Sequence, residues 1–317
     1  MLNRSRIAAA GVAALFALAG CASSGTSGGH VTGSPAHDPA GAAFPVTVHA
    51  ANGAVPIAQR PTSIVSLSPT GTEMLFAIGA GSQVKAVDAD SDYPANSPHT
   101  KLNAFQLNVE ALVAYHPDLV VASNLTPAQL KQLGELHITV LYQPAATDLD
   151  QTYAELTQLG AATGHASGAA AVVASMKRQI AAIVSSTPKQ HATYYYELDQ
   201  TYYSETSATF LGQLLRMFGL SSIADSATGA AAAGGYPQLS AEFILKANPT
   251  YVFLADTRCC KQSAATVAKR PGWATMTAVR DGRIVTLDDD IASRWGPRVV
   301  ELLRTVSQAI KQHQTTR

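Results

Sequence analysis

The 317-residue chain is short of most features that announce a function. Its three cysteines are too few to staple a body of this length, so a hydrophobic core must hold it together. Charged residues make up only 14% and balance at 22 Lys plus Arg against 22 Asp plus Glu. With no basic excess to grip phosphates, nucleic acid is excluded as a natural partner. Nine histidines show no H-x-x-x-H or similar spacing, so no dedicated metal site is indicated. No apolar run reaches the roughly 20 residues of a membrane-spanning helix. What is present is 47% apolar residues, ample for a sizeable core, in a length that suggests one large domain or two ordinary ones.

The first 20 residues read as an export leader. Arg4 and Arg6 form a positive n-region, and residues 7–19 are an apolar run of thirteen, too short to span a bilayer. The run ends in Leu18-Ala19-Gly20-Cys21, which resembles the lipobox of bacterial lipoproteins and predicts a lipid on the Cys21 thiol. Residues 21–44 are rich in Ser, Gly, Ala and Pro, the composition of a flexible tether spanning on the order of 25 Å. A G-x-S-x-G string at residues 25–29 has no strand before it or helix after it, so it is no nucleophile elbow. Loss of Arg4 and Arg6 with the leader leaves 20 basic against 22 acidic residues. The expected location is the extracytoplasmic face of the cell membrane, or the periplasm, held by a lipid anchor.

From Arg60 onward short apolar runs alternate with helical patterns, which predicts an α/β fold of mostly parallel sheets covered on both faces. Strands are expected at 64–67, 83–87, 119–122 and 139–141, with a helix over 149–163. Thr70 and Glu73 stand in capping-box spacing at the start of an earlier helix. An Ala-rich stretch over 165–187 predicts a single long helix of about 33 Å. The alternation then resumes, with strands at 193–198, 251–255 and 283–287 and helices at 208–218 and 297–311. The chain divides accordingly into an N-terminal lobe (60–164), a connecting helix (165–187) and a C-terminal lobe (190–312).

An internal echo supports two similarly built lobes. Asn108, Glu110, Pro117 and the apolar run after it are matched by Ser240, Glu242, Pro249 and theirs, at equal spacing. Each set reads as an N-cap, a short helix, a turn and a strand. Glu110 and Glu242 fall in the first helical turn, where the helix dipole favours a carboxylate by roughly 0.3–1 kcal/mol. The sharper reading makes them two equivalent anionic pegs for a partner that presents arginines.

Several strings taken in order resemble the Fe³⁺-siderophore and vitamin B12 class of ABC-transporter substrate-binding proteins. They are Ser66-Leu-Ser-Pro-Thr-Gly-Thr-Glu73, Ser91-Asp-Tyr-Pro94, Asn108-Val-Glu110 through His116-Pro-Asp-Leu-Val120, Tyr236-Pro-Gln-Leu-Ser-Ala-Glu242 and Gly296-Pro-Arg298. The likeness covers about 60–310. It implies two lobes on a rigid helix, a ligand in the cleft between them, and Glu110 and Glu242 seated on arginines of a permease that works with an ATPase. It also implies a monomer that binds and delivers rather than catalyses. No cofactor is expected; the ligand would itself be a metal chelate, cobalamin-like or a ferric siderophore. The alternatives are an extracytoplasmic enzyme on a similar scaffold and a signalling or adhesive surface lipoprotein.

A broad, flat chelate calls for aromatic surface and a few polar contacts at strand ends. Candidates are Asp90, Asp92, Tyr93 and Phe105 in the first lobe, and Tyr202, Tyr203, Asp290, Arg294 and Trp295 in the second. By resemblance, Asp90 and the 290–294 loop sit where B12-binding members touch the corrinoid. Asp90 replaces an aromatic there, Ile291 and Ala292 replace two more, and Trp295 compensates from one residue beyond. Arg294 and Arg298 are candidates to pair with siderophore carboxylates. The run Asp288-Asp289-Asp290 reads either as a cation site or, more simply, as a solvated acidic turn. The adjacent Cys259 and Cys260 read as a vicinal disulfide rather than two free thiols, since lipid consumes Cys21.

Overall fold

The computed structural model describes residues 44–314. The leader, Cys21 and the tether up to residue 43 lie outside the described residues. The described chain opens with a hairpin absent from the expected elements, β1 (Val46–Ala50) and β2 (Gly53–Ile57), paired antiparallel. Gly53 takes a φ of 98° after Asn52, a conformation that favours glycine. Asn52 Nδ2 donates to the Val140 carbonyl at 2.9 Å, which stitches the hairpin tip to the edge of the first sheet.

That sheet contains β3 (Ile64–Leu67), β4 (Val84–Val87), β5 (Leu119–Ala122) and β6 (Val140–Tyr142), all parallel, in the order β4-β3-β5-β6. Every residue of β3 and β5 is buried, as the apolar run Leu119–Ala122 and the near-apolar Ile64–Leu67, broken only by Ser66, require of strands covered on both faces. Four helices accompany the sheet: α1 (Pro69–Ala77), α2 (Val109–Val113), α3 (Pro127–Glu135) and α4 (Leu149–Thr163). The expected Thr70–Glu73 capping box does not form. Ser68 is the N-cap, its hydroxyl accepting from Gly71 N, and Pro69 occupies the first turn, where its missing N–H costs nothing. Glu73 is thereby released for another role.

Gly164, at φ 76°, ends α4 and turns the chain into α5 (Ala166–Ser185). The second sheet holds β7 (Ala192–Glu197), β8 (Leu220–Ser222), β9 (Tyr251–Leu254) and β10 (Ile284–Thr286), again all parallel, in the order β10-β9-β7-β8. Its helices are α6 (Phe210–Arg216), α7 (Ala241–Ala247), α8 (Ala264–Ala268), α9 (Thr277–Arg280), α10 (Asp289–Ser293) and α11 (Val299–Gln314). The short edge strand β8 has no counterpart among the expected strands. Helix α5 packs against both α4 and α11.

Counted from the first strand of each sheet, both lobes have the spatial order second, first, third, fourth. The sequence echo is thus a repeat of the fold. It extends to backbone detail: His116 and Asn248, each just before the shared proline, adopt left-handed φ values of 46° and 45°. Two positions further on, Asp118 N donates to Ser63 O at 2.8 Å and Thr250 N to Thr193 O at 2.9 Å, tying the third strand of each lobe to its first.

One apolar core runs through both lobes, from Ile64 and Val121 through Met176 and Ile180 of α5 to Tyr194, Phe253 and, on α11, Leu302 and Leu303. Separate cores back the outer faces of the sheets, around Leu112 and Leu133 in the first and around Ile244 and Trp273 in the second. The three tyrosines of β7 alternate between them, Tyr194 and Tyr196 entering the shared core and Tyr195 the outer one.

Candidate functional site

A cavity of about 740 Å³ opens at the C-terminal ends of the first sheet's strands, where open parallel sheets ordinarily take their ligands, and the second lobe closes it with α10. Leu67 after β3, Asp88, Asp90 and Asp92 after β4, and Ser123 after β5 line it from the first lobe; Asp290, Arg294 and Trp295, in and after α10, line it from the second. A smaller cavity of about 240 Å³ shares Ala145, Ser293, Arg294 and Trp295 with it and adds Phe210 and Tyr236.

An ion cluster crosses the floor between the lobes. Buried Arg294 donates through Nη1 to Glu73 Oε1 at 2.8 Å and through Nη2 to Asp92 at 3.0 Å, Asp290 at 3.0 Å and the Asp90 carbonyl at 2.9 Å. Arg298 completes the grip on Glu73, with bonds of 3.0 Å and 2.5 Å to its two oxygens. Arg258 reaches across the mouth, paired with Asp290 and lying 3.8 Å from Asp92. Burial opposes ionisation of Asp92, but the hydrogen bond and charge of Arg294 prevail and hold its pKa below the ordinary value. For Asp290 burial prevails, helped by the charge of Asp92, and its pKa is raised.

Two further carboxylates are held in protonation balance. Burial lifts Asp88 to about 6, against a bond from Asp90 N. Burial also lifts Glu155 to about 7, although Trp295 Nε1 donates to it at 2.8 Å across the lobe boundary.

Of the residues singled out from the sequence, Asp90, Asp92, Phe105, Asp290, Arg294 and Trp295 line the main cavity. Phe105 is 72% exposed, an apolar ring with open space before it. Tyr93 is exposed and supports the ion cluster instead, its ring 4.2 Å from the Arg298 guanidinium. Tyr202 turns away from both cavities: its ring stacks on Trp273 at 5.8 Å and faces Arg270, part of the outer core of the second lobe. Tyr203 is exposed and lines neither cavity.

Arg294 and Arg298 are not free to receive ligand carboxylates, because Glu73, Asp92 and Asp290 already occupy them. The acidic run is likewise neither a cation site nor a solvated turn. Asp288 caps α10, Asp289 accepts from the backbone N–H groups of Thr257, Arg258 and Cys259, and Asp290 pairs with the arginines. Among the described residues no group of three or more His, Cys, Asp or Glu side chains is placed to hold a metal ion. Asp289 anchors the loop in which Cys259 and Cys260 are joined as a vicinal disulfide.

Glu110 and Glu242 are both exposed, in the first turns of α2 and α7, capped by Asn108 and Ser240. Sequence reasoning missed Glu73, Asp88, Glu155 and Tyr236 as site residues. Glu73 had a usable signal: it is the lone charge in Pro69–Ala77, a helix otherwise apolar or small, and so needed a buried partner.

Comparison with known proteins places this geometry in context. A model of the periplasmic binding protein family matches residues 64–291. An ABC transporter substrate-binding lipoprotein of Bacillus subtilis is 30% identical over 279 residues, covering 84% of this chain and 86% of the relative. A cobalamin-binding protein of Halobacterium salinarum is 30% identical over 287 residues, covering 86% and 75%. The crystal structure of a possible iron-binding, periplasmic solute-binding protein from Staphylococcus epidermidis superposes with a TM-score of 0.67 at 28% identity, covering 80% of this chain and 99% of that one.

Proposed function

This chain belongs to the periplasmic binding protein family, and we propose that it is the solute-binding component of an ABC importer for a corrinoid or a ferric chelate. The observation that carries the reading is the cavity of about 740 Å³ walled by strand-end loops of the first lobe and by α10 and the residues after it in the second. That volume lies within the range of sites that take cofactor-sized small molecules. Phe105 and Trp295 offer flat apolar surface to a planar chelate. The names of the relatives, one for cobalamin and one for iron, point to the same ligand class.

Capture and delivery are the whole task. The raised carboxyls Asp88 and Glu155 are the observation that favours an enzyme instead. Glu155, however, is engaged by Trp295, and the Ser91 hydroxyl near Asp88 is buried against Thr72 at 2.9 Å, so neither carboxyl is paired with an exposed side-chain nucleophile among the described residues. Glu110 and Glu242 seat the loaded protein on permease arginines. Cys21 carries the lipid that holds the monomer at the membrane beside the transporter.

Trp295 in the cavity wall makes fluorescence a direct probe. Titrating the mature chain with cyanocobalamin, haem and a panel of ferric siderophores should give micromolar or tighter binding to one of them. No response to any would return the chain to the enzyme or surface-adhesion alternatives.

A further inference from the structure

The cavity wall carries four carboxylates, Asp88, Asp90, Asp92 and Asp290, against one cation, Arg294. The Arg294 donors named above are spent within the protein, on Glu73, Asp92, Asp290 and the Asp90 carbonyl. The neighbouring arginines are occupied too, Arg258 by Asp290 and Arg298 by Glu73. The carboxylates are not all matched in return. The exposed Asp90 side chain has no hydrogen-bonding or ionic partner among the described residues, and its charge adds to the burial that disfavours ionised Asp88. Asp88, 1% exposed, keeps Oδ2 without a hydrogen-bond partner among the described residues.

An unpaired carboxylate is comfortable in an open, wet cleft. Once a bulky guest expels that water, the group loses its solvation and needs an N–H donor or a positive charge from the guest. We infer that the cleft discriminates among metal chelates by charge, accepting uncharged or cationic chelates fringed with N–H donors and rejecting those that carry carboxylates or other anionic groups, with Asp90 as the residue that sets this preference. Amide-fringed corrinoids and hydroxamate ferric chelates fit the description. Haem, with two propionates, and ferric catecholates or citrate bring negative charge against the wall. One such like-charge approach near a protein surface weakens binding about tenfold. The inference rests on the chelate-binding reading above and narrows it.

The test uses the mature chain without a histidine tag, by equilibrium dialysis against three probes: haemin for the carboxylate class, cyanocobalamin for the uncharged amide class and ferrioxamine B for the cationic class. Haemin should bind at least about tenfold more weakly than the better of the other two. Asp90→Asn should improve haemin relative to ferrioxamine B by at least about tenfold, and Asp90→Ser should do the same. Raising the salt should shrink the wild-type gap. Haemin as the tightest ligand, or a haemin-to-ferrioxamine ratio unmoved by either variant, overturns the charge selection and leaves chelate binding standing. Silence toward all three probes removes the chelate reading and this inference with it.

Discussion

Glu73 and Arg294 lie 221 positions apart in the chain, yet they form a buried ion pair of 2.8 Å that pins one lobe to the other beneath the cavity. Such a pair adds little net stability over a well-packed apolar alternative, because both charges must be stripped of water. Its consequence is positional: two lobes with their own sheets share one core and one electrostatic clasp, which hold the two walls of the cavity in register.

Removing one member of the clasp strands the others. Arg294→Met should cost about 3 kcal/mol, since Glu73, Asp92 and Asp290 lose a shared buried cation while Arg298 still holds Glu73. Urea unfolding with intrinsic fluorescence measures it. A variant with the wild-type midpoint would show that the clasp is energetically idle.

Glu155 makes stability depend on pH. Burial holds its folded pKa at about 7, above the ordinary 4.5. The folded protein therefore keeps the proton longer than the unfolded chain, and this group's contribution falls as pH rises through that window. Glu155→Gln keeps an acceptor for Trp295 Nε1 and removes the titration. Between pH 5 and pH 8 the wild type should lose more stability than the variant, by up to about 3 kcal/mol. Parallel pH profiles would refute the assignment.

The exposed acids Glu110 and Glu242 should be separable from both folding and capture. Alanine at both positions is expected to leave the thermal midpoint and ligand affinity nearly unchanged while abolishing uptake in a strain dependent on this protein. Normal transport by the double variant would remove the docking role.

Close packing of the long helix is testable through its glycines. A Cβ at Gly168, in the first turn of α5, would stand 2.1 Å from the Ile78 carbonyl oxygen, whereas one at Gly134 in α3 would meet nothing within 4 Å. Alanine is the better helix former at both sites by about 1 kcal/mol. Gly134→Ala should therefore stabilise by up to that amount, and Gly168→Ala should destabilise by about 1–3 kcal/mol as backbone is forced apart. Thermal unfolding of the two variants should move in opposite directions; the same direction would mean that α5 is not wedged against the end of α1.

The elements legible in the sequence were those whose environment leaves a periodic mark. Ile64–Leu67, Leu119–Ala122 and Leu149–Thr163 match their expected bounds, because two-faced burial writes a short, largely apolar run and one-faced burial a helical stripe. The hairpin at Val46–Ile57 was passed over despite its Ala51-Asn52 turn followed by Gly53, and β8 is too short and too polar (Leu220-Ser221-Ser222) to leave such a mark. At the site, Asp90, Phe105 and Trp295 were legible as strand-end residues facing a cleft. Tyr202 met the same rule and yet packs on Trp273, because a loop's direction depends on what lies beneath it. Glu73 had a plausible local partner in capping-box spacing, and that local explanation hid its long-range one.

By itself, the sequence determined the alternation of strands and helices, the repeated unit around Glu110 and Glu242, and the two lobes built on one pattern. These are local matters, set by hydrophobic period, caps and turns within a few residues of one another. Only the tertiary structure decided which charges meet. Glu73, Asp92 and the 290–298 stretch that carries Asp290, Arg294 and Arg298 are three separate segments, and their pairing depends on how two lobes close on a shared core, a choice made by packing over the whole chain rather than by any stretch of it.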